Sequence, residues 1–151
     1  MAARRAGPQD ADAIARLLHD FNTEFDDVTP GPAKLAQRIG ELLSTGETIA
    51  LLAGDGPDGV AILRLRPSIW TPRLECYLAE LYVAPARRGE GLGRALMEAA
   101  IAAARTEGAD YMELNTGEDD ITARALYEKL GFDNRGGRPE GAVNVYYELE
   151  L

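Results

Sequence analysis

A mixed α/β domain is the fold class this sequence predicts, and three observations point to it. Apolar residues recur at three- and four-residue spacing in two N-terminal segments, apolar runs of strand length follow, and the two kinds of segment then alternate along the chain. With 151 residues and neither a repeat nor a linker longer than a turn, positions 1–151 read as a single domain around one core.

In the first helix Pro8 suits an opening position, and Ile14, Leu17, Leu18, Phe21 and Phe25 fall on one face. Pro30 or Pro32 opens the second, where Leu35, Ile39, Leu42 and Leu43 line up until Ser44, Thr45 and Gly46 end it. The apolar runs 48–53 and 60–65 flank the turn-rich Gly54-Asp55-Gly56-Pro57-Asp58-Gly59 and read as an antiparallel hairpin. Residues 74–83 form a longer strand stopped by Pro85, which has no N–H to give a ladder. An alanine-rich helix runs from about Gly91 to Glu107, with Leu92, Leu96, Ala99 and Ala103 on one face and Gly108 as its stop. A strand at 111–114 and a helix at about 121–130 closed by Gly131 come next, and Phe132 onward with 143–149 supplies the last strands.

Composition narrows the function. A net charge of −9 cannot supply the basic face that phosphate-backbone binding needs, which argues against nucleic acid and for a cationic partner. Arg87, Arg88 and Arg94 are a local exception. No apolar stretch approaches the roughly 18–20 residues of a membrane span, and the basic N-terminus lacks a signal peptide's apolar core. A soluble, cytoplasmic protein with no membrane partner is the expectation. One cysteine, Cys76, and one histidine, His19, leave neither a disulfide framework nor a zinc cluster, so no metal site is predicted. Cys76 reads as a small buried hydrophobe, and His19 has no partner identifiable in the sequence.

The chemistry concentrates in Glu80-Leu81-Tyr82-Val83-Ala84-Pro85-Ala86-Arg87-Arg88-Gly89-Glu90-Gly91-Leu92-Gly93-Arg94, where a strand passes through a glycine-rich turn into a helix. The three glycines let backbone approach a ligand, and the helix N-terminus offers N–H groups and partial positive charge to an anion. Each helix-end interaction is worth about 0.3–1 kcal/mol when exposed, so a tight diphosphate site needs the arginines too. No Gly-Lys-Ser/Thr follows, which excludes a P-loop, and the glycines stop at 93, short of the dinucleotide fingerprint.

These residues resemble the GNAT family of N-acetyltransferases. Its signature R/Q-x-x-G-x-G/A is matched by Arg88-Gly89-Glu90-Gly91-Leu92-Gly93, and its second, A-x-x-x-Y-x-x-x-G-F, by Ala123-Arg124-Ala125-Leu126-Tyr127-Glu128-Lys129-Leu130-Gly131-Phe132. The resemblance implies a mixed, mostly antiparallel central sheet flanked by helices, with acetyl-CoA as co-substrate. It implies that Arg87, Arg88, Gly89, Glu90, Gly91, Leu92, Gly93 and Arg94 hold the pyrophosphate, and that the edge of Leu81, Tyr82 and Val83 pairs with the pantetheine arm like an added strand. Tyr127 is implied beside the acetyl sulfur as general acid, a role its phenol suits because its ordinary pKa of about 10 lies near a thiol's, about 8.5. Asp120 stands where the family often has Asn, so Asn115 or a backbone group is expected to replace that cofactor contact. Glu80 is the first candidate for the base that takes the amine proton; Glu113 and water stay open.

The implied reaction is direct transfer of an acetyl group to a primary amine of a small molecule, without a covalent acyl-enzyme. A protein lysine or N-terminal acetyltransferase, another acyl-CoA and a non-catalytic acyl-CoA sensor remain alternatives. The acceptor is expected from the side of the first two helices, where Phe21, Glu24, Phe25, Asp26 and Asp27 form an acidic, partly apolar rim. The resemblance also admits a homodimer through the C-terminal strands.

Overall fold

The computed structural model describes residues 2–151 in two compact units, one ending at Leu114 and the other Asn115–Leu151. The first runs β1 (Ala3–Arg5), α1 (Ala11–Glu24), α2 (Pro32–Ser44), β2 (Thr48–Ala53), β3 (Gly59–Pro67), β4 (Leu74–Val83), α3 (Leu92–Thr106) and β5 (Ala109–Leu114). Its sheet has the order β1-β2-β3-β4-β5, antiparallel except for the parallel β4–β5 pair. A mixed, mostly antiparallel sheet flanked by helices is therefore the fold, as the sequence predicts.

Successive strand side chains point to opposite faces, and both faces of the central strands are covered. On one, Ile14, Leu17 and Ile39 of α1 and α2 cluster with Ala50, Leu52, Val60, Ile62 and Tyr82. The alternate residues Ile49, Leu51, Ala61 and Leu63 are equally buried, and α3 lies against every strand of the sheet. Two-sided burial explains why β2 and the start of β3 are continuous apolar runs without alternation. The buried stripe of α3 is shifted from the expected one: Met97, Ala100 and Ala104 are buried with Leu92 and Leu96, whereas Ala99 and Ala103 are half-buried. Phe25 follows the end of α1 and is exposed instead of continuing its apolar face. No sequence pattern predicts β1, whose Ala3-Arg4-Arg5 is held by pairing with β2 and by an Arg4–Asp10 ion pair of 2.9 Å.

One irregularity shapes the site. Ile62 pairs with Glu80 and Leu63 with Leu78, so Ala79 is an extra residue on β4, a β-bulge that bends the strand. The β4–β5 ladder reaches only Leu78 opposite Leu114, while β4 continues to Val83. Over residues 79–83, β4 keeps its β3 neighbour and has no strand on the β5 side among the described residues.

In the second unit α4 (Ile121–Lys129) is capped by Asp120, whose Oδ1 accepts from Ala123 N at 3.2 Å, and is followed by Gly131 at φ +99°. The strands expected from Phe132 onward and at 143–149 are a correction: residues 130–151 contain no strand. Turns occupy the first part, with Asp133 Oδ1 accepting from the N–H groups of Arg135 and Gly137. The rest has strand composition without a ladder, because a strand exists only where a second backbone completes its hydrogen bonds. No helix among the described residues is long and apolar enough to cross a membrane.

Candidate active site

The open edge of β4 leads directly into the glycine loop. After Val83, a single 3-10 turn at Pro85–Arg87 redirects the chain, and Gly89 and Gly91 adopt φ +82° and +87°. A Cβ at either would meet nothing within 4 Å. Their glycine is therefore required by backbone conformation, not by crowding, since left-handed φ costs other residues about 1–2 kcal/mol. Gly91 is the N-cap of α3, and no side chain caps that end. The first N–H groups of α3 thus face outward at the end of the strand edge.

The three arginines are already engaged. Arg87 Nη1 donates to Asp58 at 2.7 Å and Asp55 at 3.0 Å, and its Nε to Glu90 at 3.2 Å, which ties the β2–β3 turn to the loop. Arg88 donates from Nε to the Val83 carbonyl at 3.0 Å and from Nη2 to Glu24 Oε1 at 2.9 Å, with its guanidinium 5.6 Å from the Tyr82 ring centroid. Arg94 pairs with Glu98 one helical turn on, at 2.7 Å, with both side chains more than half exposed. Such an exposed pair is worth under about 1 kcal/mol.

Glu24 has partners that sequence reasoning missed. Its Oε1 also accepts from the Tyr82 hydroxyl at 2.9 Å, and Phe21 stacks on the Tyr82 ring at 4.8 Å. The Arg88 hydrogen bond holds the Glu24 carboxyl below the usual carboxylate range. Burial, followed by the bond to Glu24, pushes the Tyr82 phenol up to about 12. Of the expected acidic rim, Glu24 and Phe21 are thus committed to Tyr82, while Glu24, Phe25, Asp26 and Asp27 are all exposed. Only the acidic, aromatic character of the end of α1 signalled this.

Glu80 is half-buried on β4 beside the bulge, and burial pushes its carboxyl up. That makes it a stronger base than a surface glutamate. Leu81, Tyr82 and Val83 follow it along the open stretch, paired on the other side with Ala61, Val60 and Gly59. Glu113 accepts from Arg66 Nη2 at 2.7 Å, an ion pair that already uses its charge. Cys76 is buried, and burial pushes its thiol up to about 11, far from a reactive thiolate. His19 does have a partner: its Nδ1 lies 2.6 Å from Thr29 Oγ1.

In the second unit Tyr127 is buried, with its ring edge-to-face against Phe132 at 6.0 Å. Burial first and the charge of Asp120 second push its phenol up to about 12, so it carries its proton at neutral pH. Asp120 works as the cap of α4, the task an Asn would also perform. Asn115 is the first residue after β5 and is exposed.

The model of the Acetyltransferase (GNAT) family matches residues 12–132. A crystal structure from Arthrobacter sp. FB24, described as an acetyltransferase, matches with a TM-score of 0.90 at 44% identity, over 100% of this chain and 96% of that one. The uncharacterised N-acetyltransferase YhfO of Bacillus subtilis (strain 168) is 29% identical over 96% of this chain and 98% of its own. Aminoglycoside N(6')-acetyltransferase type 1 of Stenotrophomonas maltophilia is 30% identical over 98% of this chain and 92% of its own.

Proposed function

Because the chain belongs to the Acetyltransferase (GNAT) family and is an acetyltransferase, we propose that it moves the acetyl group of acetyl-CoA directly onto a primary amine of a small molecule. One observation carries this: β4 outruns β5, so an open strand edge over 79–83 runs straight into a helix N-terminus with no side-chain cap. An extended amide-bearing arm satisfies such an edge through backbone hydrogen bonds, and a diphosphate satisfies the helix end. The donor groups present therefore fit acetyl-CoA. The N–H groups of 88–94 with Arg88 and Arg94 take the pyrophosphate, Arg87 braces the loop through Asp55 and Asp58, and Leu81, Tyr82 and Val83 take the pantetheine arm. Asn115 supplies a further polar contact.

The thioester supplies an activated acetyl group with a thiolate as leaving group. Glu80 removes the proton from the ammonium acceptor, so that a neutral nitrogen attacks, and the Tyr127 hydroxyl gives its proton to the departing sulfur. The raised carboxyl of Glu80 supports the base role, and Tyr127 carries at neutral pH the proton that an acid must give, although burial makes it a weaker acid than a free phenol. The match from 12 to 132 supports the single-domain reading, and the aminoglycoside-modifying relative supports a small-molecule amine.

The test is mass-spectrometric detection of acetyl transfer across polyamines, aminoglycosides, amino acids and peptides, with calorimetric acetyl-CoA binding alongside. Transfer to small amines is expected. Transfer to peptides alone assigns a protein acetyltransferase, binding without any transfer assigns a sensor, and no binding removes the donor assignment.

A further inference from the structure

Two opposite charges lie unpaired on one face of the sheet. Ile62 packs in the cluster beneath α1 and α2; its cross-strand partner Glu80 shares that face, and so does Arg64, two residues along β3. Glu80 and Arg64 are therefore diagonal neighbours, roughly 7–8 Å apart at their backbones. Neither the carboxyl nor the guanidinium has a hydrogen-bond or ion-pair partner among the described residues, and the two do not pair with each other. The next arginine on that face, Arg66, has two carboxylates, Glu75 at 2.6 Å and Glu113 at 2.7 Å. Glu113 stands in the same cross-strand row as Arg64, beyond Tyr77, so the nearest carboxylate of that row is already taken.

A second unsatisfied group adjoins Arg64. Thr48 faces it across the β2–β3 ladder and is 6% exposed, yet its Oγ1 has no hydrogen-bond partner. Buried hydroxyls rarely go without one. A guanidinium beside a spare O–H donor is a pair suited to a carboxylate, which accepts from both.

We propose that the acceptor is an amino acid, an amine that also carries a carboxylate: its ammonium meets Glu80, and its carboxylate takes Arg64 and the Thr48 hydroxyl. This rests on the acetyltransferase reading above and names the substrate class of its site. Such a ligand sets each of its charges against the opposite one. A polyamine would instead bring a cation near Arg64 with nothing to offset it, so the arginine selects against acceptors without a carboxylate. The transfer is unchanged: the nitrogen forms the amide bond as the C–S bond breaks, Glu80 holds the amine proton, the thiolate takes that of Tyr127, and the acceptor's carboxylate stays ionised and unreacted.

The test is steady-state kinetics with acetyl-CoA across free amino acids, their carboxamides and putrescine, with calorimetric acetyl-CoA binding alongside. At least one acid should exceed its own amide and putrescine by about thirtyfold in kcat/KM. Arg64→Gln should raise KM for that acid by about the same factor, bring acid and amide within about threefold, and leave the Kd for acetyl-CoA as it is; Arg64→Lys should recover part of the loss. Arg64 is exposed, so circular dichroism should show both variants folded. Thr48→Val, of like shape without the hydroxyl, should raise that KM about threefold and not lower Tm, because the hydroxyl it removes has no partner. Amides or putrescine used as well as the acids, or an acid preference that survives Arg64→Gln, would overturn the amino-acid assignment and leave the acetyltransferase reading standing; transfer to no amine at all would remove both.

Discussion

Removing the Glu24 carboxylate separates its two tasks. One oxygen accepts from both the Tyr82 hydroxyl and Arg88 Nη2, each at 2.9 Å. Tyr82 is 5% exposed, so in Glu24→Ala its hydroxyl loses its acceptor where water is scarce, at about 1–3 kcal/mol. The Arg88 pair is 45% and 28% exposed at its two ends, and screening holds its share under about 1 kcal/mol. Glu24→Ala should therefore destabilise by about 2 kcal/mol, a fall in Tm of roughly 4–8 °C for a domain of this size. Glu24→Gln keeps an oxygen for Tyr82 and should lose under about 1 kcal/mol.

Binding of acetyl-CoA answers a different question about the same carboxylate. A guanidinium has five N–H donors, and Glu24 and Val83 engage Nη2 and Nε of Arg88, which leaves capacity for a phosphate. Glu24 thus aims Arg88 and does not compete for it, so both variants should bind acetyl-CoA about fivefold more weakly, the effect of misdirecting one contact of about 1 kcal/mol. Titration calorimetry gives the Kd and scanning calorimetry the Tm; tighter binding in either variant would refute the aiming role. The pH dependence adds a check. The Arg88 hydrogen bond lowers the Glu24 pKa in the folded chain, so its contribution is present above the unfolded pKa and is lost as pH falls through the folded value. The Tm gap between wild type and Glu24→Gln should close on acidification below about pH 4.

Burial raises the Glu80 carboxyl, so the acid limb of kcat/KM should lie above the ordinary carboxylate value of about 4.3. Glu80→Gln should remove that limb and lower turnover about a hundredfold or more; an unaltered pH–rate profile would give the proton to water instead. Tyr127→Phe should cost a similar factor in turnover while the Kd for acetyl-CoA holds, and equal turnover would end the acid role. Asp120→Asn keeps the α4 cap but removes the charge that helps push the Tyr127 phenol up, so spectroscopic titration should find that phenol lowered while stability stays within about 0.5 kcal/mol. Gly91→Ala places a Cβ in open space at φ +87°; it should destabilise by about 1–2 kcal/mol through backbone strain alone and weaken acetyl-CoA binding, and an unchanged Tm would exclude the strain.

The features legible in the sequence are those that near neighbours along the chain determine. The apolar faces of α1 and α2, the β2–β3 hairpin around its glycine-rich turn, the glycine loop entering α3 and the Gly131 stop each depend on residues within a few positions, whose periodicity and permitted φ the sequence displays. The two motifs that named the family are of this kind. Tertiary structure alone decided the rest. The bulge at Ala79, where the open β4 edge begins, is a mismatch of register between two strands, and register is a property of the pair. Ala3-Arg4-Arg5 becomes a strand only because β2 offers an edge, and residues 143–149 have a strand's pattern without one because a pattern cannot supply its own partner. Glu24 meets Arg88 across 64 positions, and Arg87 meets Asp55 across 32. A charge in sequence shows what it can pair with, but which carboxylate it finds is set by how the whole sheet brings distant segments together.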